Sequence, residues 1–279
     1  MKIISIPIVG WCNGIQQIFI RLKKIIKENP NTNFYCFKEL VHNKSSNDLL
    51  KKYNIKIIKN LNEIKDKNNS LLLLQAHGST KELINELIKK HIKYIDFTCK
   101  FIKANESKIN SKLIQGYKTY FIGSDNHQET KAFLSNNKKT KLIELNSKQK
   151  IKLTGNKNFI TNQTTLTQEE VNKTLKKLPK DSYQFISGCC PEIAKRQCNV
   201  IKSLNKIDML IVVGDKNSNN SNELVNIAKK NNKKSYLIQS ARQLEKINFR
   251  NLKTIGICTG ASTPKFLYEE IYNKLICIA

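Results

Sequence analysis

Tyr183-Gln184-Phe185-Ile186-Ser187-Gly188-Cys189-Cys190-Pro191-Glu192 carries a short apolar run into a cysteine and then into a helical pattern. The same succession occurs twice earlier. The first instance is Ile3-Ile4-Ser5-Ile6-Pro7-Ile8-Val9-Gly10-Trp11-Cys12-Asn13-Gly14, and the second is Ile92-Lys93-Tyr94-Ile95-Asp96-Phe97-Thr98-Cys99. The cysteines are separated by 99 − 12 = 87 and 190 − 99 = 91 residues. Near-equal spacing predicts three similar units, each offering one thiol at the same kind of place.

Between these points the chain alternates apolar runs of five to seven residues with polar loops and helical patterns. Continuous apolar runs are what strands buried on both faces of a parallel sheet require, and their alternation with helices predicts an α/β fold. Strands are expected at 2–9, 33–38, 71–75, 92–97, 118–122, 157–161, 183–186, 208–213, 234–238 and 253–258. Helices are expected at 14–28, 79–90, 101–115, 167–178, 192–204, 221–231 and 264–276. The Lys- and Asn-rich stretches 60–69, 136–141 and 147–157 read as surface loops or strand connections.

The polar residues collect after the strands. His42, His77 and His127, the three spaced cysteines, and the groups Thr164-Thr165, Ser218 to Ser221 and Ser262-Thr263-Pro264 all follow predicted strands. In open α/β sheets ligands bind beyond the carboxyl ends of the strands. Ser218 to Ser221 and Ser262-Thr263-Pro264 open helices, where free N–H groups suit an anion; ordinary capping uses the same residue types. His127, Glu129 and Thr164 suit a proton relay, although a glutamate in that position also caps helices. No phosphate-binding Gly-x-x-x-x-Gly-Lys-Ser/Thr motif is present.

The net charge of +27 raises the possibility of a nucleic-acid-binding protein. Only Arg21, Arg196, Arg242 and Arg250 are arginine, so 49 − 4 = 45 of the basic residues are lysine. Base readers lean on arginine. Lysine, asparagine and isoleucine are enriched together along the whole chain, which fits compositional drift better, and no nucleic-acid partner is expected. No apolar run approaches the ~20 residues that span a bilayer, and the N-terminus lacks a signal-peptide pattern. The expectation is a cytoplasmic protein without a membrane partner.

The eight cysteines form no disulfide framework. Cys36 and Cys258 fall in strand patterns and Cys198 and Cys277 in helical ones, where a buried structural thiol is the default. Cys12, Cys99 and one of the neighbours Cys189 and Cys190 suit a metal centre. Zinc sites usually show Cys-x-x-Cys pairs, which are missing. Iron–sulfur clusters usually take four cysteines, and three would leave one iron open.

Taken together, Gly10-Trp11-Cys12-Asn13-Gly14, Val41-His42-Asn43, Ala76-His77-Gly78, Thr98-Cys99, Gly123 to Glu129, Thr161 to Leu166, Cys190 to Gln197, Val213 to Asn222 and Thr259 to Pro264 resemble the LytB family of 4-hydroxy-3-methylbut-2-enyl diphosphate reductases. The stretches run in family order over nearly the whole chain. The resemblance implies three α/β units with parallel sheets in a pseudo-threefold trefoil around a central iron–sulfur cluster. The units would be 13–98, 99–189, and 1–12 with 190–279.

It further implies a 4Fe–4S cluster with three cysteine ligands, Cys12, Cys99 and Cys190, the last aligned by Arg196-Gln197. His42, His77, His127, Thr164, Ser218, Asn219, Asn220 and Ser262 would bind 4-hydroxy-3-methylbut-2-enyl diphosphate. Glu129, Thr164 and His127 would be catalytic, with Glu129 supplying protons. Two electrons from ferredoxin or flavodoxin would remove the hydroxyl as water, giving isopentenyl and dimethylallyl diphosphate in the last step of the non-mevalonate pathway. The sequence departs from the family pattern at Trp11, Asn13, Lys100, Gln128 and Asn219, and it stops soon after its last helix.

Overall fold

The computed structural model describes residues 1–145 and 152–279. Its strands form three four-stranded sheets in which every neighbouring pair is parallel. The first sheet takes β2 (Asn33–Phe37), β3 (Lys56–Ile58), β4 (Ser70–Leu74) and β5 (Tyr94–Asp96) in the order β3-β2-β4-β5. The second takes β6 (Lys118–Gly123), β7 (Lys141–Glu144), β8 (Asn158–Asn162) and β9 (Gln184–Phe185) in the order β7-β6-β8-β9. In each, the chain starts in an inner strand, steps to one edge, returns to the other inner strand and finishes at the far edge.

The third sheet repeats this order with β10 (Met209–Val213), β11 (Lys234–Ile238), β12 (Thr254–Thr259) and, as its last strand, β1 (Lys2–Ser5) from the N-terminus. The near-equal cysteine spacing therefore has a topological cause. Cys12, Cys99 and Cys190 each follow the fourth strand of a sheet. Each immediately precedes a helix: α1 (Asn13–Glu28), α4 (Lys100–Ile114) and α7 (Pro191–Ser203) respectively.

The remaining helices are α2 (Lys44–Lys52), α3 (Lys81–Lys89), α5 (Gln128–Asn136), α6 (Gln168–Leu175), α8 (Asn219–Lys230) and α9 (Lys265–Ile278). Helices cover the second and third sheets on both faces. On the third sheet Met209, Ile211 and Val213 point toward Leu267, Ile271 and Leu275 of α9, while Leu210 and Val212 pack with Val200 of α7 and Leu224 and Ala228 of α8. On the second sheet Tyr120, Ile122 and Ile160 meet Val171 of α6, and Phe121 and Phe159 meet Ile109 of α4 and Phe133 of α5. Two-sided burial is why these strands are apolar throughout.

The chain groups into two compact units, residues 1–24, 41–54 and 191–279, and residues 25–40 and 55–190. The first holds the third sheet, and the second holds the other two. Among the described residues no helix is long and apolar enough to cross a membrane.

All ten expected strands and seven expected helices are present, 234–238 with its expected ends and the others with shifted ones. The expected strand 2–9 stops at Ser5, because Ile8 and Gly10 take positive φ angles of 70° and 81°. Strands β3 and β7 and helices α2 and α5 were not anticipated. The strands are three- and four-residue edge strands, too short to show a pattern. Helix α2 buries only Ser46, Asn47 and Leu50, and α5 buries Glu129, Thr130, Ala132 and Phe133, so neither carries a full apolar stripe. Residues 147–151 of the expected loop 147–157 lie outside the described residues.

Cys36 and Cys258 are buried as expected, and burial pushes each thiol up to about 12. Cys198 and Cys277 correct the expectation. Both are exposed, because they lie on the outer faces of α7 and α9.

Helix α8 begins tightly against the ends of β10 and β12. A Cβ at Gly260 would lie 2.1 Å from the Ser221 hydroxyl, a residue fully buried in the first turn of α8. Gly260→Ala should therefore destabilise the fold by about 1–3 kcal/mol, the usual cost of overpacking. A lower urea midpoint checks this, and the loss should shrink in a Ser221→Ala background, which removes the clashing oxygen.

Candidate active site

In an order of this kind the chain leaves the two inner strands in opposite directions, and their carboxyl ends frame a crevice. Every expected binding or catalytic residue follows an inner strand. His42 follows β2 and His77 follows β4. His127 and Glu129 follow β6, and Thr164 follows β8. Ser218, Asn219 and Asn220 follow β10, and Ser262 follows β12.

The cysteines follow the fourth strands, and each is tied back to an inner-strand loop by its backbone. The Cys99 N–H donates to the Ala76 carbonyl after β4 at 2.9 Å, and the Cys190 N–H to the Thr164 carbonyl after β8 at 2.9 Å. The Cys12 N–H donates to the Ala261 carbonyl after β12 at 2.8 Å. The same bond thus recurs once per sheet.

In the unit of residues 25–40 and 55–190, this bond joins Cys190 to Thr164, which is itself bonded to a buried carboxyl. Thr164 donates from its backbone N–H to Glu129 Oε1 at 2.8 Å and from its hydroxyl to Glu129 Oε2 at 2.7 Å. Glu129 is 1% exposed. Burial pushes its carboxyl up to about 7, against the pull of both Thr164 bonds and with a further push from Glu106. Glu129 sits in the first turn of α5, yet its carboxylate serves Thr164.

His127 caps α5, its Nδ1 accepting the Glu129 N–H at 3.2 Å. A neutral ring in that role carries its proton on Nε2. Its ring meets that of His77 edge-on at 6.5 Å. His77, His127, Glu129, Thr164, Cys99 and Cys190 are thereby brought to one region of this unit.

Cys189 and Cys190 part company. The Cys189 sulfur takes the Asn162 amide N–H at 3.1 Å and packs with the core of the second sheet. Cys190 is electrostatically coupled to Cys99. Burial raises the Cys99 thiol, negative charge on Cys190 and Glu129 raises it further, and N–H groups of Phe101 and Ile102 at the start of α4 oppose the rise. Cys99 occupies the N-cap of α4 but makes no side-chain capping bond.

The partly exposed Cys99 thiol and the buried Cys190 thiol repel one another as thiolates and suit a cationic centre that takes both. Among the described residues no three His, Cys, Asp or Glu side chains gather as a single-ion site. Iron–sulfur clusters take thiolate ligands, and Cys99 and Cys190 are the thiols this unit brings to the region of Glu129.

The approach of the 187–190 segment depends on Asn105 and Asn162, which the sequence did not single out. Asn105 Nδ2 donates to the Asn162 and Gly188 carbonyls, and Asn162 Oδ1 accepts the Gly188 N–H at 2.9 Å. A Cβ at Gly188 would lie 2.1 Å from the Asn162 carbonyl oxygen, so only glycine fits.

The unit of residues 1–24, 41–54 and 191–279 gathers Cys12, His42, Ser218, Asn220 and Ser262. Ser218 caps α8, its hydroxyl oxygen accepting the Ser221 N–H. Asp215 holds the loop before it, accepting the Asn217 N–H and the Lys44 N–H at the start of α2. The Ser262 hydroxyl donates to the His42 carbonyl at 3.0 Å. Asn220 is 4% exposed, and neither polar atom of its amide has a hydrogen-bond partner. An orphaned buried amide costs about 1–3 kcal/mol, and the first turn of a helix is where an anion would satisfy it. Asn219, by contrast, is exposed.

Arg196, used in the sequence only to align Cys190, is buried at 2% and binds the loop leading to Cys12. Its Nη1 donates to the Ile8 carbonyl at 2.8 Å and its Nη2 to the Gly10 carbonyl at 2.7 Å. An arginine in a chain with only four of them was the available signal, since its fork can hold two carbonyls at once.

The description "LytB protein" belongs to a family profile that matches residues 3–276. A 4-hydroxy-3-methylbut-2-enyl diphosphate reductase of Malacoplasma penetrans is 36% identical, covering 97% of this chain and 96% of that protein. One from Nitratiruptor is 31% identical over 95% of both. Among solved structures, the E-1-hydroxy-2-methyl-but-2-enyl-4-diphosphate reductase of Plasmodium falciparum superposes with a TM-score of 0.89 at 25% identity, covering 98% of this chain and 87% of that one. A second structure, of (E)-4-hydroxy-3-methyl-but-2-enyl diphosphate reductase, gives 0.68 at 26% identity over 99% of both chains. Profile, relatives and fold agree across almost the full length: the chain belongs to the LytB family.

Proposed function

We propose that the chain is a 4-hydroxy-3-methylbut-2-enyl diphosphate reductase that releases the hydroxyl as water and yields isopentenyl and dimethylallyl diphosphate. The observation that carries this reading is the chain Glu129–Thr164–Cys190, in which a buried carboxyl with a pKa near 7 is bonded to the loop that holds a cysteine. It rests also on relatives of that name over nearly the whole chain.

The balance of the reaction is two electrons and two protons in, one C–O bond broken, and one water out. A 4Fe–4S cluster on Cys12, Cys99 and Cys190 would supply the electrons singly and leave one iron without a protein ligand. Ser218, Asn219, Asn220 and Ser262, with His42 and His77, bind the diphosphate through hydroxyls, amides and the positive start of α8. Asn220 gains the partners it lacks. The His127 Nε2–H and the Thr164 hydroxyl orient the substrate's hydroxyl end. Glu129, protonated below about 7, donates a proton at its carboxyl oxygen to the departing hydroxyl or the reduced carbon, with Thr164 as its relay. The buried surroundings keep water from substituting for that proton.

A one-electron protein, ferredoxin or flavodoxin, delivers the electrons, and the excess of lysine favours encounter with an acidic carrier. The protein works in the cytoplasm, where reduced cysteines persist. The units 13–98, 99–189, and 1–12 with 190–279 are the three structural repeats, since each contains or completes one sheet of the same strand order.

Protein purified without oxygen should carry about four iron and four acid-labile sulfide per chain. Colorimetric assay of both checks this, and Cys99→Ser should lose most of each. A Cys99→Ser chain with full iron and normal turnover would sink the reading.

Glu129→Gln should keep iron content and substrate affinity while turnover falls about 10²–10⁴-fold, the usual worth of a general acid. In the unmodified chain turnover should decline as pH rises through about 7, because the donating form is lost there. Stability has the same sign. A carboxyl whose folded pKa is raised contributes fully below its unfolded value and loses that contribution as pH climbs through the folded one. Urea midpoints of Glu129→Gln should lack that loss between 4.5 and about 7.

A further inference from the structure

Trp11, the one tryptophan of the chain, stands beside Cys12. Its ring stacks on Phe19 of α1 with centroids 4.3 Å apart and planes 4° from parallel. Its indole N–H donates to the Ser46 hydroxyl at 2.8 Å. Ser46 is fully buried in the first turn of α2, and its hydroxyl donates in turn to the Ser262 carbonyl at 2.7 Å. The Cys12 N–H donates to the carbonyl of Ala261, the residue before Ser262. Trp11, Ser46, Ser262, Ala261 and Cys12 therefore close a ring of three hydrogen bonds and two covalent steps within one compact unit.

The direction of these bonds is forced. An indole nitrogen can only donate, so the Ser46 oxygen must accept, and its single proton is left for Ser262. Without the indole N–H the Ser46 hydroxyl regains its rotation, and its proton is no longer directed at one acceptor. Ser46 also bonds backward, its N–H donating to the Asn43 side chain at 2.9 Å, next to His42. The His42 carbonyl accepts the Ser262 hydroxyl. One buried serine thus joins the first turn of α2, the loop opening α9 and the loop of the first cysteine.

We propose that Trp11 is a positioning residue for the diphosphate. Through Ser46 its indole N–H sets the Ser262 and His42 segments relative to Cys12, so that the anion site is held ready beside that cysteine. This rests on the reading above that Ser262 and His42 take the diphosphate. The shape of the ring is not what matters; the N–H is. A phenylalanine keeps a ring to stack on Phe19 and leaves Ser46 unguided.

The test is calorimetric titration of the cluster-loaded full chain with inorganic diphosphate. Trp11→Phe removes the indole N–H together with the five-membered ring, and Ser46→Ala removes the hydroxyl. Each should weaken diphosphate binding about fivefold, the net worth of one hydrogen bond. The double variant should be no weaker than either single one, because the two act in series. A purely structural contribution would instead lower the urea midpoint and leave diphosphate affinity unchanged. Equal affinity of Trp11→Phe and the unmodified chain, or additive losses in the double variant, would overturn the inference while leaving the reductase reading intact. Failure of the unmodified chain to bind diphosphate at all would overturn the anion-site reading and this inference with it.

Discussion

One backbone hydrogen bond, made three times, organises the chemistry. Each cysteine that follows a fourth strand gives its N–H to a carbonyl in the loop after the third strand: Cys99 to Ala76, Cys190 to Thr164, Cys12 to Ala261. A loop N–H with no helical or ladder partner needs an acceptor, and the nearest loop is the one that carries polar side chains. The bond therefore ties a thiol to His77, to Thr164 or to Ser262, according to the sheet. The placement of the sulfurs and that of the polar loop residues are not independent features of this fold, since one interaction sets both.

The parallel strand order makes that bond possible. In each sheet the two inner strands leave in opposite directions, and the last strand closes the edge beside the second of them. The third sheet keeps this order only by borrowing β1 from the N-terminus, which is why the first cysteine comes so early in the chain. Once the strands are placed, the helices start in the loops beyond them, and first-turn N–H groups of α5 and α8 are taken by His127 and Ser218 in those loops. Side chains adjust the result locally. Glu129 stays near neutrality of charge because it is buried, and the Thr164 bonds moderate that without reversing it.

Close approach is the second requirement. Gly188 and Gly260 are positions where a methyl group would collide with a carbonyl or a buried hydroxyl. Asn105 and Asn162 then take up the backbone groups that such tight loops leave over, and Arg196 does so for the loop before Cys12. These residues touch no reacting atom in the proposed mechanism, yet they fix the loops whose residues do.

The α/β class, ten of the strands and the succession strand, cysteine, helix were legible in the amino-acid order, because buried parallel strands are apolar throughout and stand out from lysine-rich loops. So were the loops that carry His42, His77, His127, Glu129, Thr164, Ser218 and Ser262, since polar residues at strand ends interrupt that pattern. The edge strands β3 and β7 and the polar helices α2 and α5 were not, for they bury too little apolar surface to leave a period. Nor could periodicity distinguish buried thiols from exposed Cys198 and Cys277, whose faces depend on which side of α7 and α9 packs. Local sequence determined which groups were available. Tertiary structure alone decided that Glu129 would be dry, that Cys189 would turn to a core while Cys190 came near Cys99, and that Trp11 would reach Ser46. Burial and hydrogen-bond geometry arise between segments far apart in the chain, and no window of sequence contains both partners.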